Sequence, residues 1–274
     1  MSDQAHIADV LARAEADARA AQRRWRLVVW SGRALLLILI LGGWELASDR
    51  LVDGTFISRP SAIFAAWWQL SASHTLWTSA RITLIEMLSG YAIGAVLGVV
   101  IACSLSASIF AYRLAEPVLL VLYGIPTVAL GPLLISWFGL GLAPKIILAG
   151  KATFILVVLN TVAGALAADS RTLSVLRLLG AGRLQLMRVF VLPNALPYLM
   201  TALRIAIPIA MIGTILGELI GSNVGLGAML VQQATFLAIP DMFATIVTTT
   251  LCVFALRLAL VPFEKIAARF FPQS

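Results

Sequence analysis

Apolar segments of membrane length, separated by short polar stretches, make up most of the chain after residue 34. A transmembrane helix needs about 20 predominantly apolar residues to cross the hydrocarbon core. Six segments approach or reach that length, at 34–51, 79–105, 117–138, 144–167, 198–220 and 242–262. The pattern therefore predicts an all-α integral membrane protein with six transmembrane helices.

The second predicted span contains small residues at every fourth position. Gly90, Gly94 and Gly98 are followed at the same spacing by Ala102. Small residues at this spacing allow helices in lipid to approach one another closely. We therefore expect this span to be a packed interior helix.

The third predicted span contains two prolines, Pro126 and Pro132. A proline inside a helix removes a backbone hydrogen bond and bends or breaks the helix. Within a membrane, the freed backbone groups need neighbouring groups or a water-lined cavity. We therefore predict broken or kinked geometry here and treat this span as a candidate wall of a transport pathway.

Three further segments have helical character without membrane length. Residues 3–26 have a strongly helix-forming, charged composition and predict a lead-in helix. Pro60 can open a helix within 52–78, for which an interfacial helix and an ordinary packed loop are equally good interpretations. The moderately polar segment between the last two spans is consistent with a short re-entrant or interfacial helix.

The stretch 169–197 is the long polar and basic run in the second half of the chain. Asp169 or Ser170 can cap a first short helix, and Gly180 and Gly182 interrupt before a second one. Leucines recur at helical spacing, whereas the arginines lie off that stripe. The pattern predicts an amphipathic, cation-rich hairpin between spans four and five.

Composition supports a membrane protein and its charges suggest an orientation. Hydrophobic residues make up 61% of the chain and charged residues 12%, against about 25% charged in soluble domains. The net charge is +7, yet no basic and aromatic surface motif indicates nucleic acid. Fifteen of the 20 Lys and Arg residues fall on the side of the N-terminus and the hairpin, which favours cytoplasmic termini and a cytoplasmic hairpin. The five on the outer side are Arg50, Arg59, Arg81, Lys145 and Lys151.

Motifs for enzyme chemistry are missing from the sequence. It has no phosphate-binding loop with the spacing G-x-x-x-x-G-K-[ST], no G-x-S-x-G elbow and no H-E-x-x-H metal motif. We therefore predict no catalytic residues and no metal site. Glu86 and Glu218 are the main intramembrane carboxylates; each either touches substrate or a gate, or makes a structural ion pair or hydrogen bond.

The hairpin resembles the cytoplasmic "EAA" loop of binding-protein-dependent ABC importer permeases. That pattern ends in a glycine, nine residues, an aliphatic residue, one more residue and Leu-Pro. Here Gly180 and Leu192-Pro193 match it at this spacing, with Phe190 at the aliphatic position. The first half departs, because Ser174-Val175-Leu176 stands in place of Glu-Ala-Ala. Around it, four stretches resemble the taurine, sulfonate and nitrate branch: SRPSAI, PVLLVLYGIPTVALGPLLISWFGLGLAPK, LPNALPYLMTALRIAI and ELIGSNVGLGAML.

The resemblance implies an assembly in the bacterial inner membrane. Two copies of the chain would form the pathway for a small organic or inorganic anion, docked to two cytoplasmic ATPase subunits that bind ATP and magnesium. A periplasmic or lipid-anchored binding protein would deliver the substrate. The chain itself would hold no cofactor. Its parts would be a cytoplasmic N-terminal helix or tail (1–33), a permease domain (34–265) with a coupling loop (169–193), and a cytoplasmic tail (266–274).

Two sets of residues follow as candidates for function. The ATPase-coupling set comprises Leu173, Leu176, Arg177, Gly180, Ala181, Arg183 and Leu184. The pathway set comprises Tyr123, Pro126, Thr127, Met211, Thr214 and Glu218, for each of which helix packing is the alternative role. Without its family's glutamate, the hairpin is expected to hold the ATPase mainly through apolar contacts.

Two other classes of protein make different predictions. A secondary transporter or channel driven by an ion gradient would work without an ATPase, and usually has an internal repeat and acidic coupling residues at mid-depth. A membrane enzyme would need a catalytic constellation.

Overall fold

The computed structural model describes residues 2–48, 57–167 and 170–270, in which the regular elements are helices. They are α1 (Ser2–Ala47), α2 (Pro60–Ala72), α3 (Thr75–Ser106), α4 (Ile109–Gly124), α5 (Thr127–Phe138), α6 (Leu142–Leu166), α7 (Ser170–Leu178), α8 (Arg183–Leu186), a π-helix (Met187–Val191), α9 (Leu192–Gly221), α10 (Leu226–Thr235) and α11 (Ile239–Phe270).

By length and composition, the described residues form five helices able to cross a membrane, or six spans when one bent pair is counted as a span. Five are single helical stretches: Ala21–Ala47, Thr75–Ser106, Leu142–Leu166, Met187–Gly221 and Ile239–Lys265. The sixth is the pair α4 and α5, which is bent by 88° at a short break. The all-α prediction and the broken third span are thus confirmed, although Pro132 lies inside α5 and the break lies at Ile125 and Pro126.

The chain divides into two compact units, Met1–Ala65 and Ala66–Ser274. In the first unit the predicted lead-in helix and the first span form one continuous helix, so the predicted start at residue 34 falls inside α1. Glu45, near the end of α1, accepts hydrogen bonds from the backbone N–H and the hydroxyl of Ser61, at 3.0 and 2.6 Å. Ser61 lies at the N-terminus of α2, where the backbone N–H groups lack intrahelical partners. A carboxylate is favourable at this position.

Helices α3 and α6 are held together in the second unit by glycines. A Cβ built on Gly90 would lie 2.7 Å from the Cβ of Ala149, and one on Gly98 would lie 2.8 Å from that of Val157. Between them, Gly94 packs directly on the backbone of Gly150. The prediction of a packed interior helix with small residues at its interface is therefore confirmed.

The order of these contacts shows that α3 and α6 run in the same direction, since Gly90, Gly94 and Gly98 meet successively later residues of α6. Two parallel spans require a connection that returns to its starting side. The bent pair α4 and α5 is that connection, so it crosses once, and the six-span topology follows.

Helix α9 packs against α6 in the opposite direction. Gly164 near the end of α6 meets Tyr198 near the start of α9, whereas Gly213 meets the backbone of Leu148. The segment that joins α6 to α9 therefore lies at one end of the bundle, which we call the hairpin end. Arg204 and Glu264 form a bidentate ion pair between α9 and α11 in the half of the bundle towards this end.

Enlarging Gly94 tests whether the α3–α6 contact determines the stability of the bundle. In the variant Gly94→Leu the new side chain meets backbone, which cannot move aside by rotating a side chain. Overpacking of this kind costs about 1–3 kcal/mol. We expect a lower thermal unfolding temperature for the purified protein in detergent.

Gly42→Leu is the matched control, because a Cβ at Gly42 meets nothing within 4 Å. Equal unfolding temperatures for the two variants would contradict the importance given to the contact.

Candidate functional site

The hairpin begins with a helix that ends in a glycine. Helix α7 ends at Leu178, Gly180 has a positive φ of 86°, and the N–H of Ala181 donates to the carbonyl of Leu176 at 3.0 Å. This six-to-one hydrogen bond around a left-handed residue is a Schellman motif. Gly180 therefore turns the chain by a conformation that residues with a Cβ rarely adopt.

The second half of the hairpin leads into α9 without an intervening loop. The N–H of Leu186 donates to the carbonyl of Gly182 at 3.0 Å, which starts the single turn of α8. Leu186 is buried and anchors this turn. One π-helical turn, Met187–Val191, then continues into α9, and such turns are frequent at functional sites.

The exposed apolar surface of α7 shares only Leu179 with the stripe Leu173, Leu176 and Leu179 expected from the sequence. Leu173 and Leu176 are half-buried. Val175, Leu178 and Leu179 are 54%, 87% and 78% exposed. Their i, i+3, i+4 spacing could have identified them as a second apolar face, but sequence alone does not decide which face the bundle covers.

Several hairpin residues or side chains named from the sequence lie outside the part that the structure describes. Asp169, one of the two proposed caps, lies outside the described residues, and the side chain of Ser170 is likewise not described. The same holds for the side chains of Arg177, Arg183 and Leu184. Gly180 and Ala181 form the turn described above, and their role in coupling stays a prediction.

The break in the third span brings three of the predicted pathway residues together. Ile125 is extended, with φ −66° and ψ 117°, and Pro126 precedes the first residue of α5. Tyr123 is 61% exposed, and Thr127 is half-buried at the start of α5. The break therefore presents two hydroxyl groups and unpaired backbone groups on an otherwise apolar span.

A lysine from the neighbouring helix satisfies one of these backbone groups. The ammonium of Lys151 on α6 donates to the carbonyl oxygen of Ile125 at 2.6 Å. The sequence analysis counted Lys151 among the residues on the outer side, and therefore did not predict its hydrogen bond to Ile125. A lysine inside an apolar run was the available signal, but nothing in the sequence linked it to the broken span.

The other three predicted pathway residues lie in the core of the bundle. Met211 is 2% exposed and packs in a cluster with Met87 and Ile207. Thr214 is fully buried and bonds to the carbonyl of Ala210 in its own helix. These contacts are those of packed core residues. Met211 and Thr214 therefore do not line one surface together with Tyr123, Pro126 and Thr127 in the described chain.

Glu218 is fully buried in a hydrogen-bond network near the end opposite the hairpin. Its carboxylate accepts from the Thr83 hydroxyl at 2.7 Å and from the Gly227 N–H at 2.6 Å. Thr83 also accepts from the N–H of Leu226 at 2.8 Å. The network fixes the N-terminus of α10, the short helix expected between the last two spans.

A buried ion pair lies beside this network. Lys145 donates to Glu86 at 2.7 Å and to the Ser222 hydroxyl at 3.0 Å. The side chains of Lys145 and Glu86 are 5% and 1% exposed. All three residues line a cavity of about 610 Å³. Of the two roles considered for Glu86, the described residues show the structural one, an ion pair with Lys145.

Comparison with known proteins matches residues 94–269 to the family described as binding-protein-dependent transport system inner membrane component. The riboflavin transport permease RibX of Chloroflexus aurantiacus is 28% identical over 239 residues, which cover 87% of this chain and 89% of RibX. The taurine permease TauC of Escherichia coli is 26% identical, over 82% and 84% of the two chains. The putative aliphatic sulfonate permease SsuC of Escherichia coli is 29% identical, over 78% and 81%.

A solved structure shares the fold. The inward-facing MetNI methionine ABC transporter superposes with a TM-score of 0.56 at 20% identity, over 72% of this chain and 95% of that one. The matched region, 94–269, contains α3 from Gly94 onward, the whole broken span α4–α5, α6 and the hairpin. The chain thus belongs to the binding-protein-dependent inner-membrane permeases of ABC transport systems.

Proposed function

We propose that two copies of this chain form the translocation pathway of an ATP-driven importer for a small organic or inorganic anion. The hairpin with its exposed apolar face carries the proposal. It lies at one end of the bundle, its second half runs directly into α9, and its exposed leucines do not pack against the described part of the bundle. An amphipathic helix of this kind suits a hydrophobic groove on a partner.

The proposed partners at this surface are two cytoplasmic ATPase subunits, which would bind ATP and magnesium. Val175, Leu178 and Leu179 would enter the groove of one subunit. The excess of Lys and Arg on the hairpin side supports a cytoplasmic hairpin and cytoplasmic termini. The chain would accordingly reside in the bacterial inner membrane.

A second copy of the chain is the proposed partner of α4 and α5. Their exposed side chains include Val118 at 60%, Val121 at 66% and Phe138 at 55%. The break with Tyr123 and Thr127 lies on the same two helices. Two copies facing each other here would enclose the break between them, which is where we place the pathway.

The proposed substrate class is a sulfonate, taurine, nitrate or a related small anion. TauC and SsuC, which are similar over about four fifths of their length, are named for taurine and aliphatic sulfonates. RibX is named for riboflavin, so similarity alone does not define the substrate. A periplasmic or lipid-anchored binding protein would deliver the molecule and supply most of the selectivity.

Introducing a charge on the exposed face of α7 is expected to weaken binding of the ATPase subunit. Leu178→Asp places a carboxylate at a side chain that is 87% exposed, so the bundle itself is expected to fold normally. Burying that charge against a partner should weaken binding about tenfold or more. The measurement is the amount of ATPase subunit that co-purifies with the solubilised permease.

Leu140→Asp serves as control, because Leu140 is 75% exposed and precedes α6 at the end away from the hairpin. Retention of the ATPase by both variants would rule out this face as the docking surface.

The left-handed conformation of Gly180 predicts uncoupling when a side chain is added. A Cβ in this region costs about 1–2 kcal/mol, and a branched one strains the turn further. We expect Gly180→Val to insert normally in the membrane but to hydrolyse ATP without transport. Transport and ATP hydrolysis would be measured together in proteoliposomes.

Gly182→Ala is the comparison, since Gly182 is not among the glycines with positive φ and a Cβ there meets nothing within 4 Å. Normal transport by Gly180→Val would remove the coupling role of the turn.

The substrate class predicts which molecules accelerate ATP hydrolysis in the complete complex. The complex with its ATPase and binding protein would be assayed against taurine, methanesulfonate and nitrate, with riboflavin as the comparison that lacks an anionic group. We expect stimulation by at least one of the three small molecules because they carry the proposed anionic group. Stimulation by riboflavin alone would overturn the assignment to small anions.

A further inference from the structure

Lys151 lies deep inside a membrane-spanning helix. It follows the first residue of α6 by nine positions and precedes the last, Leu166, by fifteen. At about 1.5 Å per residue these are about 14 and 22 Å along the helix. A hydrocarbon core is about 30 Å thick, so the charge is located well below either surface.

The ammonium of Lys151 does not extend towards the nearer surface. It donates instead to the carbonyl of Ile125 in the break between α4 and α5, at 2.6 Å. Long cationic side chains near helix ends usually reach the interface. The broken span therefore holds this one inside the membrane.

Lys151 also lacks the charge partner that Lys145 has on the same helix. Lys145 is 2.7 Å from the carboxylate of Glu86, which neutralises it. Within the described part of the chain, Lys151 makes its one hydrogen bond to a neutral carbonyl and no ion pair. Two of its three N–H donors and its full positive charge are left unmatched.

An unmatched charge in hydrocarbon is costly, and such residues in membrane proteins usually face a water-filled cavity or a pathway. Capping a single carbonyl does not require a charge, because a hydroxyl or a water molecule can donate the same hydrogen bond. A structural role therefore leaves the charge of Lys151 unexplained. A ligand that carries negative charge would explain it.

The hydroxyl groups next to the break fit the same ligand. Tyr123 and Thr127 lie two residues on either side of Ile125 and make no side-chain hydrogen bond to another described residue. Tyr123 is exposed and Thr127 is half-buried. A sulfonate, carboxylate or nitrate group accepts several hydrogen bonds, which a lysine and two hydroxyls can donate.

We propose that Lys151 and the α4–α5 break form a subsite inside the membrane for the anionic group of the transported molecule. The role in transport rests on the proposed function, whereas binding of an anion at the break does not. In a dimer each copy would contribute one such cation. The subsite would offset part of the cost of moving a charged group through the membrane.

The subsite can be tested without a transport assay, by comparing how fast an anionic and a cationic thiol reagent label a cysteine beside the break. The full-length protein, with Cys103→Ala and Cys252→Ala, would carry Thr127→Cys in proteoliposomes. Two thiol reagents of similar size would be compared, an anionic sulfonatoethyl and a cationic trimethylammonioethyl methanethiosulfonate. Each rate is divided by the rate of the same reagent with 2-mercaptoethanol, because a thiolate intrinsically reacts faster with the cationic reagent. On this scale we expect the anionic reagent to react about fivefold faster than the cationic one when Lys151 is nearby.

Replacing the lysine should remove this preference. Lys151→Met should bring the ratio of the two rates close to one, and Lys151→Arg should keep it. Excess methanesulfonate should slow labelling in the parent and in Lys151→Arg, but not in Lys151→Met. Leu140→Cys, outside the break, should show the same ratio in all three backgrounds.

Absence of labelling at Thr127→Cys would overturn the subsite, because the break would then be closed to water. A ratio unchanged by Lys151→Met would overturn it as well. The outcome is separable from the proposed function: charge-selective labelling in a chain that fails to bind any ATPase would leave the subsite intact and refute the importer.

Discussion

The close approach of α3 and α6 is the constraint on which the rest of the bundle depends. Gly90, Gly94 and Gly98 permit backbone contact between two helices that run in the same direction. Lipid provides no hydrophobic force that would join helices, so such contacts supply much of the stability through packing. Because parallel neighbours need a returning connection, the chain must cross the membrane between them, and the α4–α5 segment does so with a break.

That break leaves polar groups partly exposed on the α4–α5 span, and α6 supplies the lysine that contacts it. The two lysines of α6, Lys145 and Lys151, are six residues apart but have different environments. Lys145 is buried against Glu86 and also donates to Ser222 at the end opposite the hairpin. Lys151 donates to a carbonyl group and has no carboxylate partner among the described residues. The same residue type therefore stabilises the fold at one position and is available to a ligand at the other.

Hydrophobic pattern and spacing predicted the spans, the glycine contact, the broken segment and the turn at Gly180, because each of these depends on residues close together in the chain. Contacts between distant residues were not predictable in this way. The Lys151 to Ile125 hydrogen bond joins positions 26 residues apart, and the Thr83 to Glu218 bond joins positions 135 apart. For the same reason the sequence could not show that Leu173 and Leu176 face inward while Leu178 faces outward, since that depends on what packs beside the hairpin.

The continuity of α6 suggests how the two ends of the site would act together. Lys151 and the start of the hairpin are joined through a helix that is unbroken from Leu142 to Leu166, and α9 returns from the hairpin along it in close contact at Gly164 and Gly213. Paired helices in close backbone contact move as a unit more readily than they bend. A displacement of the hairpin by an ATPase would therefore move Lys151 relative to the break, provided that α4 and α5 are held by the second copy. The hydrogen bond from Lys151 to Ile125 would be the contact that changes, so the anion subsite would be strongest in one state of the transport cycle and weaker in the other.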